Sequence, residues 1–404
     1  MILTAVNMKF KKFNIIMIFS TLLLSALSAP TTLGIKLENN YAHDYYSYQE
    51  MTDLLHDLQS QHPDIMMVES YGKTNQNRDI WFVKISDNVK IDEDEPGILL
   101  LGAHHGDEKI SFELLIYFIN HMMENYEKEN TDDDNDGFIN EDKIDGKDND
   151  NDGEIDEDPD EDRVRFAIDN TQIYMIPMIN PDGVEANTRK NCNPDSLHGV
   201  NTNRNFGYDW KYYDLFPGRY QSFWATQETS GNYRGSGPYS ETETQAVKSV
   251  AESFTINISL SYHSGAEVVF YPWYHTTAKT PHENLFIKIG EAMGEISGYP
   301  LWTGSDPIIP RYDGTLGTSE NFLYGEHNIF AYTVESSNKK TPTNPSTVLR
   351  ICEKSVGVHL YLSERVQNLD NTKALLTRNI DARFPFLSTL LNRLFGNLFP
   401  DFFF

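Results

Sequence analysis

The sequence predicts an α/β domain on a largely parallel or mixed sheet, and three observations carry that expectation. Short β-rich runs alternate with helical stretches from about residue 41 to 365. At 404 residues and 39% hydrophobic, the chain holds enough apolar material for one large core or two small ones. Clusters of histidine and acid fall just after expected strands, at the edge where open α/β sheets hold their ligands.

Taken in order, the pattern predicts a helix over 47–61, a strand over 97–101, a helix over 108–126 and a strand over 172–179. A helix over 241–254 follows, then strands over 256–261 and 267–271, a helix over 281–296, a strand over 329–334 and a helix over 345–366. At 240–243 the order Ser-Glu-Thr-Glu predicts a capping box, with the Ser240 hydroxyl on one end amide and Glu243 reaching back to the other.

Charge excludes one class of function. With 33 Lys and Arg against 60 Asp and Glu, the net charge is -27, so the protein repels phosphate backbones and nucleic acid is not an expected partner. Residues 131–162 carry 17 of the acids and only two lysines, inside a repeat of period 16. Asp132, Asp134, Asp136, Gly137 and Ile139 recur as Asp148, Asp150, Asp152, Gly153 and Ile155, the order in which a calcium loop alternates carboxylates around a glycine turn. Calcium is therefore expected in this insert. A solvated acidic tract requires neither the glycine nor the isoleucine. Both copies lack Glu at the twelfth loop position, where Lys143 and Pro159 stand, so neither is an ordinary helix-flanked hand.

The first 28 residues read as a signal peptide: Lys9, Lys11 and Lys12, an apolar run over 15–24, then Ser25, Ala26 and Ser28. The run is shorter than the ~20 residues of a spanning helix, so a secreted, extracellular protein is expected. Two cysteines, Cys192 and Cys352, allow one disulfide at most. At the other end, residues 367–404 form an amphipathic tail in which Phe384, Leu387, Leu391, Leu394 and Phe395 accompany Arg378, Arg383 and Arg393. Such a tail can rest on a membrane surface, dock on its own domain or pair with another protein.

The chemistry concentrates in a few loops. Chance gives roughly two His residues followed three positions later by an acid, and the chain has three such pairs, so spacing alone decides nothing. Context separates His121/Glu124, within a predicted helix, from Gly102-Ala103-His104-His105-Gly106-Asp107-Glu108, which follows an apolar strand. Ser261-Tyr262-His263-Ser264 and Glu335 end two other expected strands. A His and a carboxylate from one loop plus a His from another make a three-ligand zinc site with a fourth position for water, and a further carboxylate can take that water's proton.

Other motifs fall in a fixed order around these loops. Tyr48-Gln49-Glu50-Met51 comes first, then His105-x-x-Glu108, Asn180-Pro181-Asp182-Gly183, Arg189-Lys190-Asn191 and Asn201-Thr202-Asn203-Arg204-Asn205-Phe206. Tyr233-Arg234-Gly235, His263-Ser264, Tyr271-Pro272-Trp273, Tyr312 and Glu335 complete the series. From Tyr45 to about Leu362 the chain resembles a zinc carboxypeptidase of the carboxypeptidase A/T type. The resemblance implies an α/β/α sandwich with a mixed, largely parallel central sheet as a catalytic domain over 41–366. It implies His105, Glu108 and His263 as zinc ligands, Glu335 as the base that activates a water, and Arg189 as the oxyanion stabiliser. Asn203, Arg204 and Tyr312 would grip the substrate's terminal carboxylate, a guanidinium fork matching a carboxylate in bidentate fashion. The implied function is hydrolysis of the C-terminal bond of peptides or proteins. Two alternatives stand beside it: a cell-wall peptide amidase with the same zinc site, and a calcium-dependent binding module on an inactive peptidase fold.

The chain departs from the family pattern at Gly265, Ser319, Glu320 and Asn321, where relatives carry Tyr, a pocket-base residue, Asp and Trp. Ser319, expected at the base of the specificity pocket, is neither large and apolar nor acidic, so the pattern assigns no preference for the substrate's last residue.

Overall fold

Helix α1 (Tyr48–Gln61) shows how local sequence fixes each element. The Ser47 hydroxyl accepts from the Glu50 N–H at 3.3 Å, and the Glu50 carboxylate accepts from the Ser47 N–H at 2.9 Å, so two end amides are satisfied reciprocally. Met51, Leu54, Leu55 and Leu58 recur at helical spacing and are its buried residues. The computed structural model describes residues 45–126, 160–210, 224–303, 315–367 and 369. The expected signal peptide 1–28, the six repeat aspartates from Asp132 to Asp152, Tyr312 and the tail beyond 369 lie outside the described residues.

Strands β1 (Met66–Lys73) and β2 (Asp79–Ile85) form an antiparallel pair at one end of the sheet. Then come β3 (Gly97–Leu101), α2 (Ile110–Asn125), α3 (Asp160–Asn170), β4 (Gln172–Ile176) and the short α4 (Pro181–Ala186). The second half holds α5 (Thr242–Ser253), β5 (Ile258–His263), β6 (Ala266–Tyr271), α6 (Glu283–Ser297), β7 (Leu301–Thr303), α7 (Ser319–His327), β8 (Phe330–Ser337) and α8 (Pro345–Val366). The eight strands run in the order β1-β2-β4-β3-β5-β8-β6-β7. The β4-β3, β3-β5, β5-β8 and β6-β7 pairs are parallel and the other three antiparallel, so the sheet is mixed and largely parallel as expected.

Helices cover both faces, which is why β3, β4 and β5 are buried along their whole length. Residues of α5 and α7, among them Val247, Val250 and Phe322, close one face over Phe82, Leu99, Leu101 and Tyr174. On the other, α8 packs against α2, α3 and α6. No described helix is long and apolar enough to cross a membrane. Cys192 and Cys352 are both free thiols.

Two expectations need correction. The expected strand over 256–261 is shifted to Ile258–His263, because Asn257 is taken up in tying down the start of β3 by backbone and side-chain bonds to Gly97. The capping box at Ser240 does not form. Glu241 is the N-cap residue and its own side chain makes no cap bond. The Ser240 hydroxyl donates to Glu241, while Asn191 donates to Glu241 and Glu243, so the buried Asn191 loop takes both carboxylates.

Leu100, fully buried on the central strand β3, tests this core. Leu100→Ala should cost about 2–5 kcal/mol, read as a lower urea midpoint with the same transition slope.

Candidate metal centre and active-site cavity

Three parallel strands end at one edge of the sheet, and their loops build the site. After β3 the chain turns through Gly102–Glu108 and enters α2. The turn is held by Asn180, which caps α4 by accepting from the Gly183 N–H at 2.9 Å and donates its amide to the His104 carbonyl at 3.4 Å. Gly106 lies so close to Gly183 that a Cβ there would stand 2.0 Å from the Gly183 carbonyl carbon, so the loop reaches this position only with glycine. His104 turns inward, fully buried beside Phe206 and His263, while His105 faces the cavity.

His105, Glu108 and His263 are each 3% exposed. His105 Nδ1 lies 2.9 Å from Glu108 Oε1, His263 Nδ1 lies 2.9 Å from Glu108 Oε2, and the two Nδ1 atoms are 3.1 Å apart. The β5-β8 register pairs His263 with Glu335, which sets the second carboxylate beside this cluster. Arg189 donates from Nη1 to Glu108 Oε1 at 2.8 Å. Burial alone would raise the Glu108 carboxyl, but His105 and His263 hold it well below the usual range. Burial, helped by the Arg189 charge, lowers His105 to about 3. Glu335 is pushed up to about 7, chiefly by burial, with Glu108 adding to the rise and His263 and Arg189 opposing it.

A cavity of about 230 Å³ opens over the cluster, lined also by Arg189, Asn203, Arg204 and Glu335. Asn203 and Arg204 lie in the 3-10 turn Thr202–Arg204. Of the sequence-expected site residues, seven therefore meet around one space, which His105, Glu108, His263, Glu335, Arg189, Asn203 and Arg204 line together with Gly265. Tyr312 and the calcium candidates fall outside the described residues.

The sequence model described as zinc carboxypeptidase matches residues 51–356. The chain belongs to the zinc carboxypeptidase family. Among its relatives is the zinc carboxypeptidase of Saccharothrix mutabilis subsp. capreolus, 27% identical over 339 residues, a match spanning 79% of this chain and 69% of that one. The human carboxypeptidase N catalytic chain is 25% identical over 352 residues, covering 80% of this chain and 66% of its own length. The fold is also that of thrombin-activatable fibrinolysis inhibitor, at a TM-score of 0.63 and 17% identity over 82% of this chain and 76% of that one. A carboxypeptidase A from Helicoverpa armigera gives 0.62 and 16% over 88% and 80%. The chain thus spans about two thirds of the length of the curated relatives.

The family implies a catalytic zinc, and the donor set fits one. Zinc bonds of about 2.0–2.2 Å in a tetrahedron put neighbouring donors about 3.3–3.5 Å apart, and the three atoms here need move only a few tenths of an ångström outward. His105 Nε2 lies 3.1 Å from the Asn201 side-chain oxygen. That acceptor keeps the ring proton on Nε2 and leaves the Nδ1 lone pair facing the cluster, the usual outer support of a metal-bound histidine.

Two features here, at Asn201 and Asp209, had not been assigned from sequence, and the expectation for Ser319 is corrected. Asn201 stands within a quoted motif, but nothing in the motif's spacing says which asparagine holds the histidine. Asp209, fully buried, accepts from the Gly317 N–H at 2.6 Å and from the Asn321 amide at 2.7 Å, so it anchors the start of α7. Ser319 does not line the cavity: its N–H donates to Asn203 Oδ1 at 2.8 Å and its hydroxyl to Glu320, so Thr318 and Glu320 face the space instead. The helical start at Ser319 rotates alternate residues inward, which a linear comparison does not convey.

Two measurements follow from these contacts. Asn201→Ala should weaken zinc binding about 10–100-fold, measured by competition with a chromophoric chelator. Burial pushes Asp209 up to about 7 despite its hydrogen bonds, against about 3.9 in an unfolded chain. The folded state therefore holds the extra proton between those values, and stability falls as pH rises through that window. Asp209→Asn should abolish that part of the slope in urea melts between pH 4 and 8.

Proposed function

We propose that the chain is an exported metallocarboxypeptidase that releases residues one at a time from the C-termini of peptides or proteins. One observation carries the reading. The Arg204 guanidinium and Asn203 amide line the same cavity as the His105, Glu108 and His263 cluster and Glu335. A terminal carboxylate held by the first pair presents the last peptide bond to the second group. Export rests on the layout of residues 1–28, and calcium on the recurrence of Gly137 and Gly153 within the acid repeat.

His105, Glu108 and His263 would hold the zinc. When bound, zinc supplies Lewis acidity that activates a water and polarises the scissile carbonyl. Glu335 is suited to take the proton: its Oε2 is buried and has no hydrogen-bond partner among the described residues, and its raised pKa makes it a stronger base than an exposed carboxylate. It then hands that proton to the leaving amine. Arg189, a cation at the cavity wall, faces the negative charge that develops on the carbonyl oxygen. Arg204 donates from Nη1 to the Asn203 carbonyl at 2.5 Å, which aims the fork before substrate arrives. Tyr312 completes the grip in this reading.

Zinc-loaded protein should shorten peptides with free C-termini stepwise, leave amidated ones intact and stop on chelation, as followed by mass spectrometry. Glu335→Gln should keep the fold and the zinc while turnover falls about 10²–10⁴-fold. Internal cuts indifferent to the terminus would point instead to a different amide substrate, and no cleavage at all to a binding module.

A further inference from the structure

His104 takes no part in the steps above, yet it lies fully buried beside the metal-binding cluster. Neither of its ring nitrogens has a hydrogen-bond partner among the described residues. An imidazole carries a donor or an acceptor at each nitrogen, and buried polar atoms left unpaired are costly. Leucine would fill a comparable space without that cost. What histidine has and leucine lacks is a flat face.

The backbone holds this ring in one place. Ala103 has φ +49, a left-handed conformation that a residue with a Cβ adopts only under constraint. The His104 carbonyl accepts from Thr202 Oγ1 at 2.8 Å and from the Asn180 amide at 3.4 Å. On one side Phe206 meets the His104 ring edge-on, with centroids 5.9 Å apart at 79°. On the other the ring lies against His263, 5.6 Å away and only 6° from parallel.

His263 lacks another flat support. Its Nδ1 lies 2.9 Å from Glu108 Oε2 and its Nε2 lies 3.1 Å from the Asn203 amide nitrogen. Those two contacts fix a line through the ring and leave it free to tilt about that line. His105 meets the same ring at 55°, so it offers no parallel surface. The Nδ1 lone pair lies in the ring plane, and a tilt swings it away from the other two donors. A parallel ring against one face resists that motion.

We infer that His104 is a positioning residue for the zinc site: its ring, braced on Phe206, holds the plane of His263 so that Nδ1 faces Glu108 and His105. His104 does not line the cavity, so it acts through His263. The inference rests on the zinc site described above and adds a support to it.

Three readouts test it: zinc affinity by competition with a chromophoric chelator, the visible d–d absorption of cobalt-loaded protein, and the urea midpoint of metal-free protein. His104→Leu removes the unpaired nitrogens, so the metal-free midpoint should hold or rise. Its zinc affinity should nevertheless fall about 2–12-fold, the range of an aromatic pair, and its cobalt absorption should shift. His104→Phe keeps a flat face and should return both affinity and absorption toward those of the unsubstituted protein. Unchanged affinity and absorption in His104→Leu, or equal losses in both variants, would overturn the assignment and leave the zinc site intact. A fall in affinity that only follows a fall in the metal-free midpoint would overturn it too, because a general packing defect then accounts for the loss. Unsubstituted, folded protein that takes up no zinc would overturn both.

Discussion

Everything in the site depends on one buried carboxylate being shared. Glu108 sits within hydrogen-bond distance of His105, His263 and Arg189, and it meets them from three different segments of the chain. An isolated charge at 3% exposure would be neutralised by uptake of a proton. The two imidazoles and the guanidinium keep it ionised instead. The same contacts draw the β3 loop, the end of β5 and the segment after α4 to one point, so charge compensation and site assembly are a single event.

The sheet makes that convergence possible. β3, β5 and β8 are adjacent and parallel, so their carboxyl ends deliver His105, His263 and Glu335 to one edge. Parallel strands demand helical crossovers on both faces, and those helices account for the complete burial of β3 and β5. The antiparallel members, β1 with β2 and β6 with β8, extend the sheet outward without contributing a metal-binding donor.

Elements with strong local signals were legible in the sequence: α8 spans the same residues as expected, and β3 coincides with its apolar run. β1 and β2 were not anticipated, because the outer half of β1 carries exposed Glu69 and Ser70 and lacks a clean apolar alternation. α7 escaped for a similar reason, since its buried face includes Ser319, Glu320 and Asn321, polar residues whose partners come from distant segments. Within the site, the ordered motifs foretold which side chains would meet. They did not foretell the supports. Asn201 under His105 and Asp209 under α7 act through contacts across 96 and 112 positions, and no local pattern encodes such pairs.

Gly317 has φ +65, and a Cβ on it would stand 2.2 Å from the Arg204 carbonyl oxygen. Phe206 N–H also donates to the Gly317 carbonyl at 3.1 Å, and Asp209 ties the same turn to Asn321. The 3-10 turn that carries Arg204 and the helix start that carries Glu320 are thus tied together by direct backbone contact. In the function proposed above, such a piece would act as a caliper, with its two jaws gauging the length of whatever residue the cavity received. Even a single methylene added to or removed from that residue would then be felt at the far jaw rather than absorbed by the loops.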